Sequence, residues 1–244
     1  MIIRLVAIHL LIPLSLFASP KAISSNSRAL LVAIPDSWNS QKANLQLYRR
    51  ASASCPWTNV GISTSVHLGR RGLAWGRGLH PPQEGPQKRE GDGKSPAGAF
   101  LLGNILYGYA DQSGLPKWRY RKVTDRDLWI EDPSSTLYNR HLILSAHEPF
   151  PPEHSYHLMR QDDPAHSLKL FIRHNAPPDT KPGSGSAIFF HLCRSQNSVT
   201  TGCTSMDELA FRELLSSFLP KDDPIYVLLP RPDYDRLKAS WELP

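Results

Sequence analysis

The residues of this sequence most able to do chemistry lie between positions 189 and 205. Phe189-Phe190-His191-Leu192-Cys193-Arg194 brings an apolar strand candidate to its end on an imidazole. Thr200-Thr201-Gly202-Cys203-Thr204-Ser205 then sets a thiol directly after a glycine. Ser205-Met206-Asp207-Glu208 has the form of a capping box, so Cys203 is expected just ahead of a helix start. The free amides and dipole of a helix N-terminus favour an anion, which predicts a depressed thiol pKa at Cys203. A neighbouring imidazole would activate that thiol further, and the amides of Gly202 and Cys203 are candidates to face a developing oxyanion. Strand-borne histidine, glycine, cysteine and helix start together describe acyl transfer through a thioester.

Blander readings of the same residues stand beside this one. Cys203 is alternatively a buried structural thiol or half of a disulfide. With Cys55 and Cys193 the chain has three cysteines, so at least one is left over if no partner chain is involved. Cys193 is read as a packing residue or a partner for Cys55. A zinc site from His191, Cys193 and Cys203 matches ligand types but not a usual spacing, and no metal is expected. Arg194 is either a clamp for a substrate carboxylate or a surface arginine. Gly91-Asp92-Gly93-Lys94-Ser95 hints at a phosphate loop but fails the pattern, because position 88 is lysine. His147, His154, His157 and His166 are read as loop histidines, one of which lines the cleft on the sharper reading. Most tryptophans are expected in the core, with Trp75, between glycines, the best candidate for a cleft wall.

The elements that must carry these residues are mostly strands. Residues 29–34, 44–48, 60–68, 129–132, 142–146, 168–174, 186–191 and 225–229 show apolar or alternating strand character. Val60, Ile62, Thr64, Val66 and Leu68 are expected on one face. Residues 69–103 hold nine glycines and read as a long ordered loop rather than strand. Met206, Leu209, Ala210, Leu214 and Phe218 repeat at helical spacing, ending at Pro220. Residues 147–185 read as a possible insertion, flap or lid. Proline at 22 of 244 residues starves long helices of donors and favours a loop-rich β protein.

Leu5 to Phe17 form an apolar run behind Arg4, with small residues at Ala18 and Ser19. Residues 1–19 therefore read as a secretory signal peptide, with an uncleaved anchor as the alternative. The mature protein is expected to be exported to the periplasm or cell envelope. Its net charge falls from +6 to +5 with Arg4, a surplus without the clustering of a nucleic-acid footprint.

Beyond the dyad, several segments occur in the order of a known family. Leu68-Gly69-Arg70-Arg71-Gly72-Leu73-Ala74-Trp75-Gly76, Glu90-Gly91-Asp92-Gly93-Lys94-Ser95-Pro96-Ala97-Gly98-Ala99-Phe100, Asp132-Pro133 with Tyr138-Asn139, and His191 followed by Gly202-Cys203 together resemble the L,D-transpeptidase (YkuD-type) catalytic domain. The resemblance implies one catalytic domain over residues 27–235. It implies a β-rich α+β fold, an L,D-transpeptidase-like β-sandwich with a helix following the catalytic cysteine. It assigns Cys203 as nucleophile, His191 as base and acid, and Gly202 and Cys203 as oxyanion-hole amides. Thr201 stands where many members carry a histidine, and Leu192 where a small residue is common. Arg194, Thr201 and Trp75 are the candidate substrate-binding residues. The implied reaction cross-links peptidoglycan stem peptides without a cofactor, with an envelope lipoprotein as an alternative acceptor and carbapenems as acylating inhibitors. A carboxypeptidase or endopeptidase using the same dyad, and an inactive cell-wall-binding module, are the alternatives.

Overall fold

A computed structural model describes residues 22–195 and 198–244. The expected leader at 1–19 lies outside the described residues. The chain runs through β1 (Ala29–Ile34), β2 (Lys42–Arg49), β3 (Thr58–His67), β4 (Leu73–Trp75) and β5 (Ser95–Gly108). Next come β6 (Arg119–Lys122), β7 (Asp127–Ile130), β8 (His141–Ile143), β9 (Tyr156–Leu158), β10 (Leu168–Ile172) and β11 (Phe189–Leu192). The last elements are β12 (Thr204–Met206), α1 (Glu208–Ser216), β13 (Ile225–Leu228) and α2 (Arg231–Leu237). Among the described residues no helix is long and apolar enough to cross a membrane.

The expected α+β sandwich is not what forms. The protein is mostly strand with two short helices, and its main sheet closes on itself as a barrel. Its order is β10-β11-β12-β3-β2-β1-β13-β5, and β5 pairs back to β10. The reason lies in β5, whose 14 residues serve two partners. Gly98 to Leu101 pair with β13, and Leu102 to Gly108 pair with β10. A strand that long bridges the gap that two separate sheets would leave. Eight staves enclose an interior that side chains just fill, here by residues such as Leu31, Leu45, Val66, Leu170 and Phe190.

Several element boundaries also move. Residues 69–103 are not simply loop, since β4 and the start of β5 fall within them. Alternation in β3 holds only toward its end: Val66 is buried but Val60 is 41% exposed. Segment 147–185 is no single insertion, because β10 within it is a barrel stave and β9 belongs to a small second sheet, β8-β7-β9. That small sheet lies over the outer wall of the barrel. Tyr107, Val123, Trp129, Met159 and Phe189 form a separate apolar cluster there, with Cys203 packed against it.

Candidate active site

His191 and Cys203 are positioned by neighbouring parallel strands. β11 and β12 pair with Phe190 opposite Thr204 and His191 opposite Ser205. Side chains alternate along a strand. Phe190 and Leu192 enter the barrel core, so Phe189 and His191 face outward. Cys203 lies one step before β12, beside Phe189, and shares that outward face. Strands about 4.8 Å apart rising about 3.3 Å per residue place the His191 and Cys203 Cα atoms about 8 Å apart, within reach of an imidazole and a thiol turned toward each other. Both residues line one cleft of about 390 Å³.

The thiol is free, as are Cys55 and Cys193, so of the alternatives weighed for Cys193 no pairing with Cys55 is present. Cys203 Sγ lies 3.4 Å from the Phe189 N–H and donates to the Ala187 carbonyl at 3.4 Å. It is bonded to these groups rather than to the His191 ring. The His191 Nδ1 donates to the Leu192 carbonyl at 2.8 Å, which leaves Nε2 with its lone pair. A backbone carbonyl therefore orients the ring. Burial, followed by the neighbouring His166, pushes the His191 pKa down to about 4. The imidazole is therefore neutral and able to accept a proton at neutral pH.

Cys203 does not sit at a helix start. β12 continues the chain through Ser205 and Met206 first, and α1 is capped by Asp207, whose side chain accepts from the Leu209 and Ala210 N–H groups. Ser205 is buried opposite His191 and caps nothing. The expected dipole effect is accordingly absent, and burial raises the thiol pKa. The Phe189 N–H, Lys169 and Lys88 oppose that rise, while Glu131 adds to it.

The Thr200–Cys203 turn is tightly held. Thr200 Oγ1 donates to the Cys203 carbonyl at 2.6 Å and accepts the Gly202 N–H at 3.1 Å. Ser95 Oγ donates to the same carbonyl at 3.2 Å. The expectation that Gly202 supplies an oxyanion-hole amide is corrected here, because Thr200 takes that N–H. The Cys203 N–H is the candidate that remains. Gly202 has φ +149, and an added Cβ would lie 3.0 Å from the Lys94 carbonyl and 3.2 Å from Ile188. Its role is to let the turn pass close to these neighbours.

The other candidate residues divide. Thr201 lines the cleft. So does Arg194, but its guanidinium is paired with Asp163 at 2.7 Å. Asp163 also receives the His166 Nδ1 at 2.7 Å, and the His166 ring stacks on His191 at 4.9 Å. Arg194 thus braces the histidine pair through Asp163. Trp75 is not a cleft wall. It is 2% exposed, packs edge-on against Trp38 at 5.0 Å, and takes no part in lining the cleft. β4 is a continuous apolar run whose three residues are all buried, which overrides the neighbouring glycines.

Sequence reasoning missed four contributors. Lys169, on β10, pairs in register with His191 and lines the cleft. Glu131 lines it too, its carboxyl pushed up to about 7 by burial and by Glu90, and lies 3.0 Å from the His157 Nδ1. Glu90 accepts from the Tyr138 hydroxyl and from Ser186 Oγ. Asn139 is buried and holds two of the cleft's lining residues from behind, accepting from the Trp129 indole N–H and the Ala187 N–H. Lys169 was visible as a lone cation in an apolar strand, but its partner across the ladder depends on register. A larger hollow of about 610 Å³, on the other side of Trp129, holds His141 and Arg140 but no thiol. Among the described residues no group of three or more His, Cys, Asp or Glu side chains is placed to hold a metal ion. Comparison with known families, curated proteins and solved structures finds no match to this chain.

Proposed function

We propose that this chain is a cysteine acyltransferase of the L,D-transpeptidase kind, acting on peptidoglycan stem peptides in the cell envelope. One observation carries the reading: a free Cys203 thiol lines the same cleft, and shares an outward face, with a neutral His191 whose Nε2 is left open. The ordered sequence resemblance supplies the substrate class.

In this reading the Cys203 side chain rotates from the Ala187 carbonyl toward His191, and the S–H proton passes to Nε2. The sulfur attacks the carbonyl carbon of the amide after the third residue of a tetrapeptide stem. The Cys203 N–H faces the oxyanion. The C–N bond breaks, and the terminal D-alanine amine leaves with the proton from His191. An amine of a second stem, or of an envelope lipoprotein, then attacks the thioester, losing a proton to His191 as the thiol is released. Water in place of the amine gives the carboxypeptidase outcome.

The test incubates wild type and Cys203→Ala with tetrapeptide muropeptides and looks for dimers by mass spectrometry. Dimers and a covalent carbapenem adduct in wild type alone are expected. Dimers that persist in Cys203→Ala remove the mechanism, and trimmed monomers without dimers select the hydrolase.

A further inference from the structure

The lysine in the cleft wall has no role in the mechanism above. Lys169 is 3% exposed, so its ammonium is taken from water at a cost that requires compensation. An ammonium has three donors, and the described structure gives Lys169 Nζ one acceptor, the Met159 carbonyl at 2.6 Å. It sits over the Phe189 ring at 5.6 Å, and the N–H of that same Phe189 is the group 3.4 Å from Cys203 Sγ. Its neighbour across the ladder is His191.

We propose that the Lys169 ammonium is the counter-charge for the Cys203 sulfur, stabilising negative charge there before and during attack. This deepens the proposed reading of the site and rests on it for the role, though not for the charge coupling itself. His191 carries charge only while it holds the thiol proton, because burial and the adjacent His166 lower its pKa. Lys169 exchanges no proton in this scheme; the thiol proton still goes to His191 Nε2. The surrounding charges agree in sign. Cys203, Asp163 and Asp127 all favour the charged lysine, against burial, which lowers its pKa to about 8. Toward Cys203, Lys169 and Lys88 act together and Glu131 opposes them. Lys88 is engaged with Asp92, which leaves Lys169 as the stronger influence. Lys169 is thus a positioning residue for charge.

The test uses the full chain carrying Cys55→Ser and Cys193→Ser, so that Cys203 is the thiol being read. Alkylation by iodoacetamide is followed by mass between about pH 6 and pH 10. Lys169→Met should raise the apparent thiol pKa by about one unit and slow alkylation at neutral pH about tenfold. Lys169→Arg, which keeps the cation, should stay closer to wild type than Lys169→Met does. Superimposable profiles for wild type and Lys169→Met overturn the proposal, as does Lys169→Arg behaving like Lys169→Met. If Lys169→Met does not fold, Cys203→Asp against Cys203→Asn decides with Lys169 intact. The aspartate variant should lose relative stability as pH rises past about 8, where Lys169 discharges; a difference that does not vary with pH overturns the coupling. Neither readout needs turnover, so a chain that alkylates as expected yet makes no cross-links defeats the proposed function alone.

Discussion

Asn139→Ala should loosen the back of the cleft more than any exposed substitution near it. Asn139 is 1% exposed and adopts a left-handed φ of 58°. Its Oδ1 accepts the Trp129 indole N–H at 2.8 Å and the Ala187 N–H at 3.0 Å. Its Nδ2 donates to the carbonyls of His174 at 3.0 Å and Asn175 at 2.8 Å. One side chain therefore joins the small sheet, the end of β10 and the approach to β11. Alanine leaves two buried donors without acceptors, at about 1–3 kcal/mol each. It also holds a non-glycine, non-asparagine residue at positive φ, at about 1–2 kcal/mol. With some relief from water entering the space, the loss is about 3–6 kcal/mol. At about 2–4 °C per kcal/mol for a chain of this size, Tm should fall by at least about 6 °C. Urea unfolding and thermal melts measure both. The Ala187 carbonyl accepts the Cys203 thiol, so alkylation of Cys203 should change as well. Asn139→Asp keeps two acceptors but sets an oxygen against two carbonyls, so its carboxyl pKa should rise on folding. That variant should be more stable at low pH and lose stability as pH rises. A Tm within about 2 °C of wild type for Asn139→Ala would refute the accounting.

Trp75→Ala should cost about 3–5 kcal/mol, as for a large aromatic removed from a core, while Cys203 alkylation in the folded fraction stays as in wild type; a large loss of thiol reactivity without loss of stability would return Trp75 to the cleft. Stability should also fall on acidification. His80 and His191 are held near 4 and His174 near 3, in each case first by burial. Unfolded histidines titrate near 6.5, so below that value the unfolded state binds more protons than the folded one. Their contribution is present above about pH 6.5 and is lost as pH falls through about 4, with a slope of up to about 1.4 kcal/mol per pH unit for each histidine. Urea midpoints at pH 7 and pH 5 measure this, and an unchanged or higher midpoint at pH 5 overturns it.

Local pattern was enough for a good part of this protein. Continuous apolar runs locate β1 and β13, and the periodic apolar face locates α1, although the cap expected at Ser205 is supplied by Asp207 two residues later. The types and spacing of His191, Gly202 and Cys203 single out the candidate nucleophile and base without any knowledge of the fold. Pairing partners lie outside what such patterns encode. The first nine residues of the 14-residue strand β5 read as glycine-rich loop, because its pairing with β13 and β10 is made by residues more than 50 positions away. That pairing turns an expected sandwich into a closed barrel.

Tertiary structure also decided the electrostatics of the site. The helix start is displaced because Thr204 to Met206 find a parallel partner in β11, so the Cys203 thiol is governed by burial, the Phe189 N–H and nearby charges rather than by a helix dipole. Lys169, His166 and Glu131 reach the cleft only through strand register and the folding of the small sheet over the barrel. Residue chemistry is a local property and survives in the order of letters. Proton affinity depends on desolvation and on charges brought near by distant parts of the chain, and those exist only once the chain has closed.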